Sequence, residues 1–412
     1  MKQLVVHHES EWTQTALLEN GRLIEFAAER VCEHGTAGSF YKGRIVNVLP
    51  GMQAAFVDIG LKKNAFLYID DMLPAHLDKQ PKSKPSIEQL ARRGQQLLVQ
   101  VTKEPLGGKG ARVTTHYSLP GRYIVFMPEA DYVAVSKKVE PETERVRLKS
   151  LGEHLRRSGE GMILRTVAGG QDDATLGEDL ARLRRQWESI RESAEKAEAP
   201  RELYRDLDLA ERMVRDVFDP GTDELIMDDA LQREKVCAYL ERMMPGVQPR
   251  VSMYREEAPL FDAYPVEHQL HRDFGRKIWL PGGGYLVWDQ TEALTVVDVN
   301  TGKFTGTGDS LEKTVTQTNL EAAEEIARLL RLRDVGGIVI VDFIDMQEEG
   351  NRTRVLQCLE ERLAKDRTQS HIVGWTKLGL LEMTRKKVRE SGAGLFHEVC
   401  GACGGTGRIT LR

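Results

Sequence analysis

Several features of membrane and secreted proteins are missing from this chain of 412 residues. No apolar run approaches the ~20 residues needed to span a bilayer, and the first residues lack the apolar core of a signal peptide. The five cysteines, at positions 32, 237, 358, 400 and 403, do not resemble a disulfide framework. A net charge of −5 gives no global sign of a nucleic-acid partner. We therefore expect a cytoplasmic protein whose partners must be inferred from local charge.

The composition is that of a globular protein with a sizeable core. Hydrophobic residues make up 41% of the chain and charged residues 29%, and neither a low-complexity tract nor a long-period repeat is evident. This length predicts two to four domains.

Two local patterns predict secondary structure outside the chemical motifs. Asn20-Gly21, the preferred pair for a two-residue type I′ turn, lies between the runs 12–18 and 22–28 and predicts a β-hairpin. Apolar residues at helical spacing predict one face of a long helix that Pro200 ends, namely Leu176, Leu180, Leu183, Trp187, Ile190 and Ala194.

The strongest pattern lies between residues 291 and 346. Two short β-branched runs, 291–300 and 336–346, flank a segment with apolar residues three, four or seven apart, which predicts a helix over 309–332. Asp309 and Glu312 stand three residues apart at its start, like a capping box with Asp as the cap. A strand, a helix and a strand in this order predict a βαβ unit with parallel strands.

Each of these two runs reaches a carboxylate at its end, namely Asp298 and Asp342. Neighbouring parallel strands would hold the two carboxylates ~4.8 Å apart at one edge of the sheet, with Asn300 on the same face as Asp298. Such a pair predicts a hard-metal site, typically for magnesium. The alternative is a pair of exposed strand ends, which the apolar strands leading to both disfavour. Asp345 need not face the same way, and we expect it to have a supporting or structural role.

Residues 37–115 differ from the rest of the chain in charge and pattern. Short strands follow one another closely, which predicts a small barrel. Twelve Lys and Arg stand against six Asp and Glu, a local charge of +6. With Phe40, Tyr41, Phe56 and Phe66 among its strands, the segment favours an OB fold that stacks the bases of single-stranded nucleic acid on aromatic rings. For any one of these residues, a place in the core is an equally good interpretation.

Two further motifs carry chemistry. Arg165 and Thr166 follow an apolar run, and a guanidinium beside a hydroxyl at a strand end suits phosphate capture, although the pair alone is weak evidence. Cys400 and Cys403 form a CxxC knuckle among glycines, which is half of a zinc site. Either two chains contribute one pair each, or His397 supplies a third ligand within one chain. A redox CxxC is disfavoured, because it normally begins a helix after a strand.

The chain resembles the catalytic region of the ribonuclease E/G family over nearly its whole length. In chain order, the motifs that carry the resemblance are Ala54-Ala-Phe-Val-Asp58, Gly108-Lys-Gly110, Leu164-Arg-Thr166, Glu292-Ala-Leu294, Val297-Asp-Val-Asn300, Thr318-Asn-Leu-Glu-Ala-Ala323, Leu330-Arg-Leu-Arg-Asp334, Gly336-Gly337, Val341-Asp-Phe-Ile-Asp-Met346 and the cysteine knuckle. Some motifs are loose when taken singly, but in this order they are highly specific.

The resemblance assigns site residues position by position. Asp298 and Asp342 match the family's magnesium-binding carboxylates, and Asn300 matches the amide that helps to place the scissile phosphate. The RNA-binding residues of the barrel correspond to Phe56, Phe66, Lys103 and Lys109. The pocket that senses a 5′-monophosphate corresponds to Gly121, Val125, Lys137, Arg165, Thr166 and Lys377. Cys400 and Cys403 match the knuckle through which two protomers share one zinc.

The resemblance also implies an α/β multidomain fold. An RNase H-like part, residues 1–36 plus 201–276, is interrupted by an OB-fold RNA-binding barrel at 37–115 and a 5′-sensor region at 116–200. A DNase I-like catalytic domain at 277–395 and a zinc-link tail at 396–412 follow. Lys137 and Lys377 replace arginines of enterobacterial members, which predicts weaker end sensing because lysine cannot clamp a phosphate bidentately.

These observations predict a magnesium-dependent endoribonuclease that cuts single-stranded RNA, leaves 5′-phosphate and 3′-hydroxyl ends, and acts in ribosomal RNA processing or messenger decay. The expected cofactors are Mg²⁺ and Zn²⁺, and the expected partners are RNA and a second copy of the chain. The sequence stops nine residues after Cys403, so we expect neither the small domain that builds the family's dimer of dimers nor a degradosome scaffold. The alternatives are a non-catalytic RNA-binding protein and a metal-dependent phosphatase or DNase.

Overall fold

The computed structural model describes residues 2–31, 35–73, 85–105, 109–291, 293–302, 311–387, 400–403 and 407. The strands are β1 (Lys2–His8), β2 (Trp12–Glu19), β3 (Arg22–Arg30), β4 (Phe40–Leu49), β5 (Ala54–Asp58), β6 (Ala65–Tyr68), β7 (Gln96–Lys103), β8 (Arg112–Thr114), β9 (Leu119–Pro120), β10 (Ile124–Met127), β11 (Val133–Val135), β12 (Gly161–Leu164), β13 (Arg201–Tyr204), β14 (Glu224–Met227), β15 (Arg250–Met253), β16 (Lys277–Trp279), β17 (Tyr285–Gln290), β18 (Leu294–Asn300), β19 (Gly337–Asp342), β20 (Ser370–Trp375) and β21 (Leu381–Arg385). The helices are α1 (Ile87–Leu90), α2 (Glu142–Leu155), α3 (Asp173–Lys196), α4 (Leu209–Asp216), α5 (Ala230–Met243), α6 (Leu260–Ala263), α7 (Val266–Asp273), α8 (Leu311–Leu332) and α9 (Glu349–Leu363).

The chain divides into two compact units. The first comprises Met1–Arg30, Phe218–Cys237 and Val247–Arg412, and the second comprises Val31–Val217 and Ala238–Gly246. The structure is thus a mixed α/β fold, as predicted from the sequence. The finer division into RNase H-like, sensor and DNase I-like parts stays a prediction.

The first unit contains a five-stranded sheet in the order β15-β14-β1-β2-β3. The pairs β15–β14 and β14–β1 are parallel, whereas β1–β2 and β2–β3 are antiparallel. Asn20 and Gly21 form the turn between β2 and β3 with φ angles of 51° and 78°. Positive φ at both positions is what a type I′ turn requires, so the predicted hairpin is confirmed.

The second sheet of this unit has six strands in the order β16-β17-β18-β19-β21-β20. Strands β18 and β19 are parallel neighbours and α8 connects them, so the predicted βαβ unit is confirmed. The apolar side chains of α8, β18 and β19 join those of the five-stranded sheet in one core. Of the predicted capping box, Asp309 lies outside the described residues.

The second unit contains the predicted barrel. Strands β4, β5, β6, β8 and β7 pair in that order, and an antiparallel β4–β7 pair closes the ring, with β13 added outside β4. Its interior is apolar, with Ile45, Val57, Leu67 and Val113 at or near zero exposure. Phe40 and Tyr41 are buried as well, so the core interpretation holds for these two aromatics.

A four-stranded sheet in the order β11-β12-β10-β9 completes the second unit. The apolar face predicted for the long helix is buried on α3 and includes Leu176, Leu183 and Ile190. The helix ends at Lys196, before Pro200, where the sequence predicts its end. No helix in the described part of the chain is both long enough and apolar enough to cross a membrane.

Candidate active site

Asp298 and Asp342 occupy matching positions on two adjacent parallel strands. Asp298 of β18 is the register partner of Asp342 of β19, so the two residues stand about one strand spacing, ~4.8 Å, apart. Asn300 shares the face of Asp298, and its Nδ2 donates a 2.8 Å hydrogen bond to Asp298 Oδ2. Val297 and Val299 point the opposite way and are buried in the core. Strand alternation therefore brings the three predicted side chains together on the outer face of the sheet.

Two side chains of α8 fix the loop that follows Asp342. Asn319 is fully buried, and its Nδ2 donates to the carbonyl of Ile344 at 2.8 Å while its Oδ1 accepts from the N–H of Ile344 at 3.1 Å. Glu312 accepts backbone N–H groups of residues 347–348 at 3.1 and 3.2 Å. A positioning role for Asn319 was not predicted from the sequence. The feature that could have indicated it is a single amide side chain on the buried face of an amphipathic helix.

The electrostatics of this edge suit a hard cation. Asp298, Asn300, Asp342 and Asp345 line one open cleft. Partial burial raises the pKa of Asp342, and the negative charges of Asp298 and Asp345 raise it further. Asp345 therefore does face the same cleft, which the sequence did not require. Among the residues that the structure describes, no group of three or more His, Cys, Asp or Glu side chains forms a metal site by itself.

Two carboxylates nevertheless fit magnesium, because this ion usually takes one or two carboxylates and completes its octahedron with water and phosphate. The hydrogen bond from Asn300 to Asp298 orients one of the two carboxylates. The residues present thus provide the oxygen donors and the negative charge that such an ion requires.

A row of side chains crosses the outer face of the barrel. Phe56 of β5 is the register partner of Phe66 of β6, with ring centroids 6.0 Å apart in an edge-to-face arrangement. Phe66 in turn pairs with Arg112 of β8, and Arg112 pairs with Lys103 across a bulge in β7. Both rings are partly exposed, and Lys103 and Lys109 are exposed. The structure therefore joins Phe56, Phe66 and Lys103 in one cross-strand row.

Arg112 is the member of this row that the sequence analysis did not single out. Its guanidinium donates to Asp71 Oδ2 at 3.1 Å from Nε and at 2.8 Å from Nη2. The sequence shows that Arg112 is basic, but it does not show that Arg112 pairs with Phe66, because that pairing depends on the register of β6 and β8.

Two of the predicted sensor residues, Gly121 and Arg165, meet near the start of β10 and the end of β12. Arg165 Nη1 donates a 2.7 Å hydrogen bond to the carbonyl of Gly121. A side chain at Gly121 would collide with Asp179, because an added Cβ would lie 2.7 Å from Oδ2. The buried Asp179 also accepts the N–H groups of Tyr123 and Ile124 at 2.9 and 3.1 Å. The backbone turn that presents Gly121 is thus fixed by Asp179, which the sequence analysis missed.

The remaining sensor residues are distributed over both units. Thr166 Oγ1 lies 2.9 Å from Ser136 Oγ, and the adjacent Lys137 is exposed. Val125 is partly buried on β10, beside the strand that leads to Arg165. Lys377 is exposed in the turn between β20 and β21 of the first unit.

Arg165 has an anionic partner within its own unit. Its Nη2 lies 2.8 Å from Asp216 Oδ1, and Arg215 contacts both oxygens of the same carboxylate at 3.0 Å. Burial alone would raise the pKa of Asp216, but the hydrogen bonds and charges of Arg215 and Arg165 lower it well below the usual range. The carboxylate therefore stays ionised and orients the Arg165 guanidinium.

The cysteine knuckle is described at residues 400–403 and at Gly407. Cys400 is exposed, and hydrogen bonds from the backbone N–H groups of Cys403 and Ala402 lower the pKa of its thiol. The N–H of Gly407 donates to Cys403 Sγ at 3.3 Å. Backbone donors of this kind stabilise the thiolate form, which is the form that binds metal. The zinc site expected at these two cysteines stays a prediction, and His397 lies outside the described residues.

Comparisons with known proteins identify the family of this chain. The profile of the Ribonuclease E/G family matches residues 118–388. Ribonuclease G of Escherichia coli (strain K12) is 44% identical over 413 residues, which covers 99% of this chain and 84% of that protein. Ribonuclease G of Haemophilus influenzae is 43% identical over 96% of this chain and 82% of its own length. Ribonuclease E of Nostoc sp. is 38% identical over 91% of this chain and 54% of its own length. The chain therefore belongs to the ribonuclease E/G family.

Proposed function

We propose that this protein is a magnesium-dependent endoribonuclease that hydrolyses single-stranded RNA to 5′-phosphate and 3′-hydroxyl products. The enzyme class, an endoribonuclease of the ribonuclease E/G type, follows from membership of the family. The observation that carries the proposed chemistry is the register pairing of Asp298 with Asp342. Two carboxylates on one edge, with an amide beside them, are the ligand set of a phosphoryl-transfer metal site.

In the proposed reaction, Asp298 and Asp342 hold the metal. A bound magnesium ion supplies Lewis acidity toward the phosphate and lowers the pKa of a water molecule. Asn300 places a phosphate oxygen without adding negative charge, and it keeps Asp298 oriented through its 2.8 Å hydrogen bond. Asn319 keeps the loop after Asp342 in place. Asp345 adds negative charge to the cleft and thereby strengthens its attraction for a cation.

Substrate binding is assigned to the outer row of the barrel. Bases stack on Phe56 and Phe66, while Lys103, Lys109 and Arg112 follow the phosphates. Support comes from the cross-strand register, which sets two partly exposed rings beside basic residues. Aromatic stacking tolerates any base, so this row favours single strands without strict sequence selection.

The 5′ end of the substrate is assigned to the turn at Gly121 together with Arg165 and Thr166, which would make a 5′-monophosphate stimulatory. An incoming phosphate either displaces Asp216 from the Arg165 guanidinium or binds the guanidinium while Asp216 stays in place. Arginine suits this role because its planar fork matches phosphate oxygens. Val125 and Lys137 complete the part of the proposed pocket that belongs to the second unit.

The zinc link completes the proposal. Cys400 and Cys403 of two chains would share one Zn²⁺ and form a homodimer, because structural zinc takes four ligands. Backbone hydrogen bonds lower the pKa of the Cys400 thiol, which favours the thiolate that zinc binds. A site of lower symmetry, with His397 as a third ligand in one chain, is the alternative. The cellular role we propose is RNA processing or decay.

A gel assay with end-labelled single-stranded RNA tests this function directly. Magnesium should convert the RNA into discrete shorter products, and a matched DNA of the same sequence should stay intact. A non-catalytic RNA-binding protein would shift the RNA without shortening it at any magnesium concentration. A phosphatase would remove terminal phosphate only, and cleavage of the matched DNA would reveal a DNase.

A further inference from the structure

An aromatic and basic cluster lies on the same face of the sheet as the candidate catalytic residues. Trp279 of β16 is the register partner of Tyr285 of β17, and Tyr285 is the register partner of Asn300 of β18. Register partners on adjacent strands project to the same face. Lys277 lies two residues before Trp279 and projects to that face as well. We call Lys277, Trp279 and Tyr285 the Trp279 platform.

The side chains of the Trp279 platform do not belong to the hydrophobic core. The core residues of these strands, Ile278 and Leu286, occupy the alternate positions and are buried. Trp279 is 51% exposed, and its ring centroid lies 5.3 Å from that of Tyr285 at an interplanar angle of 60°. Lys277 Nζ lies 4.4 Å from the Trp279 centroid and 3.7 Å from that of Tyr285. Trp279 and Lys277 thus lie at the surface, and packing in the core does not explain why these residues stand here.

The position of the Trp279 platform suits the nucleotide next to the reacting phosphate. Two strand spacings separate Trp279 from Asn300, roughly 10 Å. Gly302, in the turn after Asn300, lies close to both rings, because a Cβ added to it would lie 3.1 Å from Tyr285 Cδ1 and 3.4 Å from Trp279 Cζ3. An RNA strand whose phosphate is placed by Asn300 would therefore carry an adjacent base across the ring of Trp279.

The chemistry of the three side chains matches a nucleotide. An exposed indole stacks any base, and a neighbouring ammonium attracts the phosphate of the same strand. Lys277 covers the ring faces in the absence of RNA through a cation–π contact. A stacked base would replace this contact and leave the ammonium to face the backbone phosphate.

We propose that the Trp279 platform binds a ribonucleotide adjacent to the scissile phosphate by stacking its base on Trp279, with Lys277 on the phosphate. This subsite rests on the proposed function, since Asn300 and the carboxylate pair define where the scissile phosphate lies. The platform acts in substrate positioning and is distinct from the row on the barrel.

Abasic scanning tests the subsite. A single-stranded RNA with one defined cut is prepared as a series in which one base near the cut is replaced by an abasic residue. For the unmodified protein, one abasic position should raise KM roughly tenfold, the size of one lost stacking contact. Trp279→Ala should raise KM on intact RNA by a similar factor, leave kcat within about twofold, and be insensitive to that same abasic position. Trp279→Phe should restore part of the loss.

Trp12→Ala is the matched control, because Trp12 also has an arginine, Arg30, over its ring at 5.0 Å but lies on the other sheet of the unit. It should leave KM unchanged. An unchanged KM in Trp279→Ala overturns the subsite, and so does an effect confined to kcat. Either result would show that base stacking on Trp279 does not contribute to RNA binding.

A binding measurement separates this proposal from the proposed function. Uncut RNA titrated into an Asp342→Asn background should quench tryptophan fluorescence, and Trp279→Phe in the same background should abolish most of the quenching. Equal quenching with and without Trp279 overturns the subsite. A chain that shows Trp279-dependent quenching but never cuts RNA retains the subsite while the proposed catalytic function fails.

Discussion

The buried amide of Asn319 donates to the carbonyl of Ile344 and accepts from its N–H, so one side chain of α8 holds the loop that follows Asp342. Because both partners are backbone groups, the loop keeps its position without depending on a flexible side chain. The carboxylate of Asp342 is thus placed by the helix that crosses between the two strands as well as by the sheet itself.

Asn319→Ala should weaken both the fold and the metal site. Two partly buried backbone groups of Ile344 lose their partner, which costs about 1–3 kcal/mol in the free energy of unfolding. The magnesium concentration needed for half-maximal cleavage should rise severalfold. Urea unfolding and a magnesium titration of the cleavage rate measure the two effects. Gln317→Ala, at an exposed position of the same helix, is the control, and an unchanged magnesium requirement in Asn319→Ala contradicts the positioning role.

The pair His7 and Asp228 should make stability depend on pH near neutrality. The hydrogen bond to Asp228 raises the pKa of His7 above its usual value, against the opposing effect of burial. A raised pKa in the folded state gives stability that is complete below the unfolded pKa of ~6.5 and is lost as pH rises through the folded pKa. The free energy of unfolding should therefore decline with increasing pH over that window.

Asp228→Asn should remove most of this decline, as measured by urea unfolding at a series of pH values between 5.5 and 8.5. His271→Asn, at a histidine that is 81% exposed, should leave the decline unchanged. An identical pH profile in Asp228→Asn and the unmodified protein would rule out His7 as its source.

Arg165 should make cleavage depend on the 5′ end of the substrate. The unmodified protein should cut a 5′-monophosphorylated RNA severalfold faster than its 5′-hydroxyl counterpart, and Arg165→Ala should equalise the rates. Arg165→Lys should keep only part of the difference, because an ammonium cannot form the bidentate contact. The exposed Arg157 provides a control as Arg157→Ala. Equal rates in the unmodified protein would remove Arg165 and Thr166 from the functional residues.

Zinc content and mass in solution should distinguish the two forms of the knuckle. A shared site predicts half an equivalent of zinc per chain and a dimeric mass, and Cys403→Ser should lose both. One equivalent per monomeric chain would support a site completed by His397 and would contradict the link between two protomers. Cys237→Ser, at a free cysteine far from the knuckle in sequence, should change neither the zinc content nor the mass.

Local sequence patterns predicted much of the fold. The alternation of Val297 and Val299 with Asp298 and Asn300 identified the strand and its outer face, and the spacing of apolar residues identified α8 and α3. Asn20 and Gly21 specified their turn because few other residue pairs adopt positive φ twice. These features depend on neighbours within a few residues, which is the range over which periodicity is informative.

Contacts between distant residues were not predictable in the same way. Asp216 orients Arg165 from 51 positions away along the chain, and the sequence near either residue does not indicate that the two are in contact. The position of Trp279 beside Asn300 depends on the registers of two successive strand pairs. Register is fixed by the packing of a whole sheet, so an exposed tryptophan in a short strand could not be connected with the site from the sequence.

We propose that Asp298 and Asp342 together hold one magnesium ion, and substitution of either carboxylate tests this. Asp342→Asn should lower the single-turnover cleavage rate by at least about 100-fold, since several kcal/mol of charge stabilisation are lost, while RNA affinity stays within about threefold. Without magnesium the variant should unfold at a higher temperature than the unmodified protein, because two like charges no longer face each other. Asp289→Asn is the matched control on the same sheet: it loses a surface ion pair with Arg276, which contributes little to stability, and it should respond to magnesium and cut RNA as the unmodified protein does.

The most direct measurement is therefore the thermal unfolding midpoint of the unmodified protein, Asp342→Asn and Asp289→Asn as magnesium is added, with single-turnover cleavage recorded on the same preparations. Magnesium should raise the midpoint of the unmodified protein and of Asp289→Asn but not that of Asp342→Asn, and Asp342→Asn should cut RNA at least about 100-fold more slowly. Equal magnesium stabilisation of all three proteins, together with full cleavage by Asp342→Asn, would contradict it.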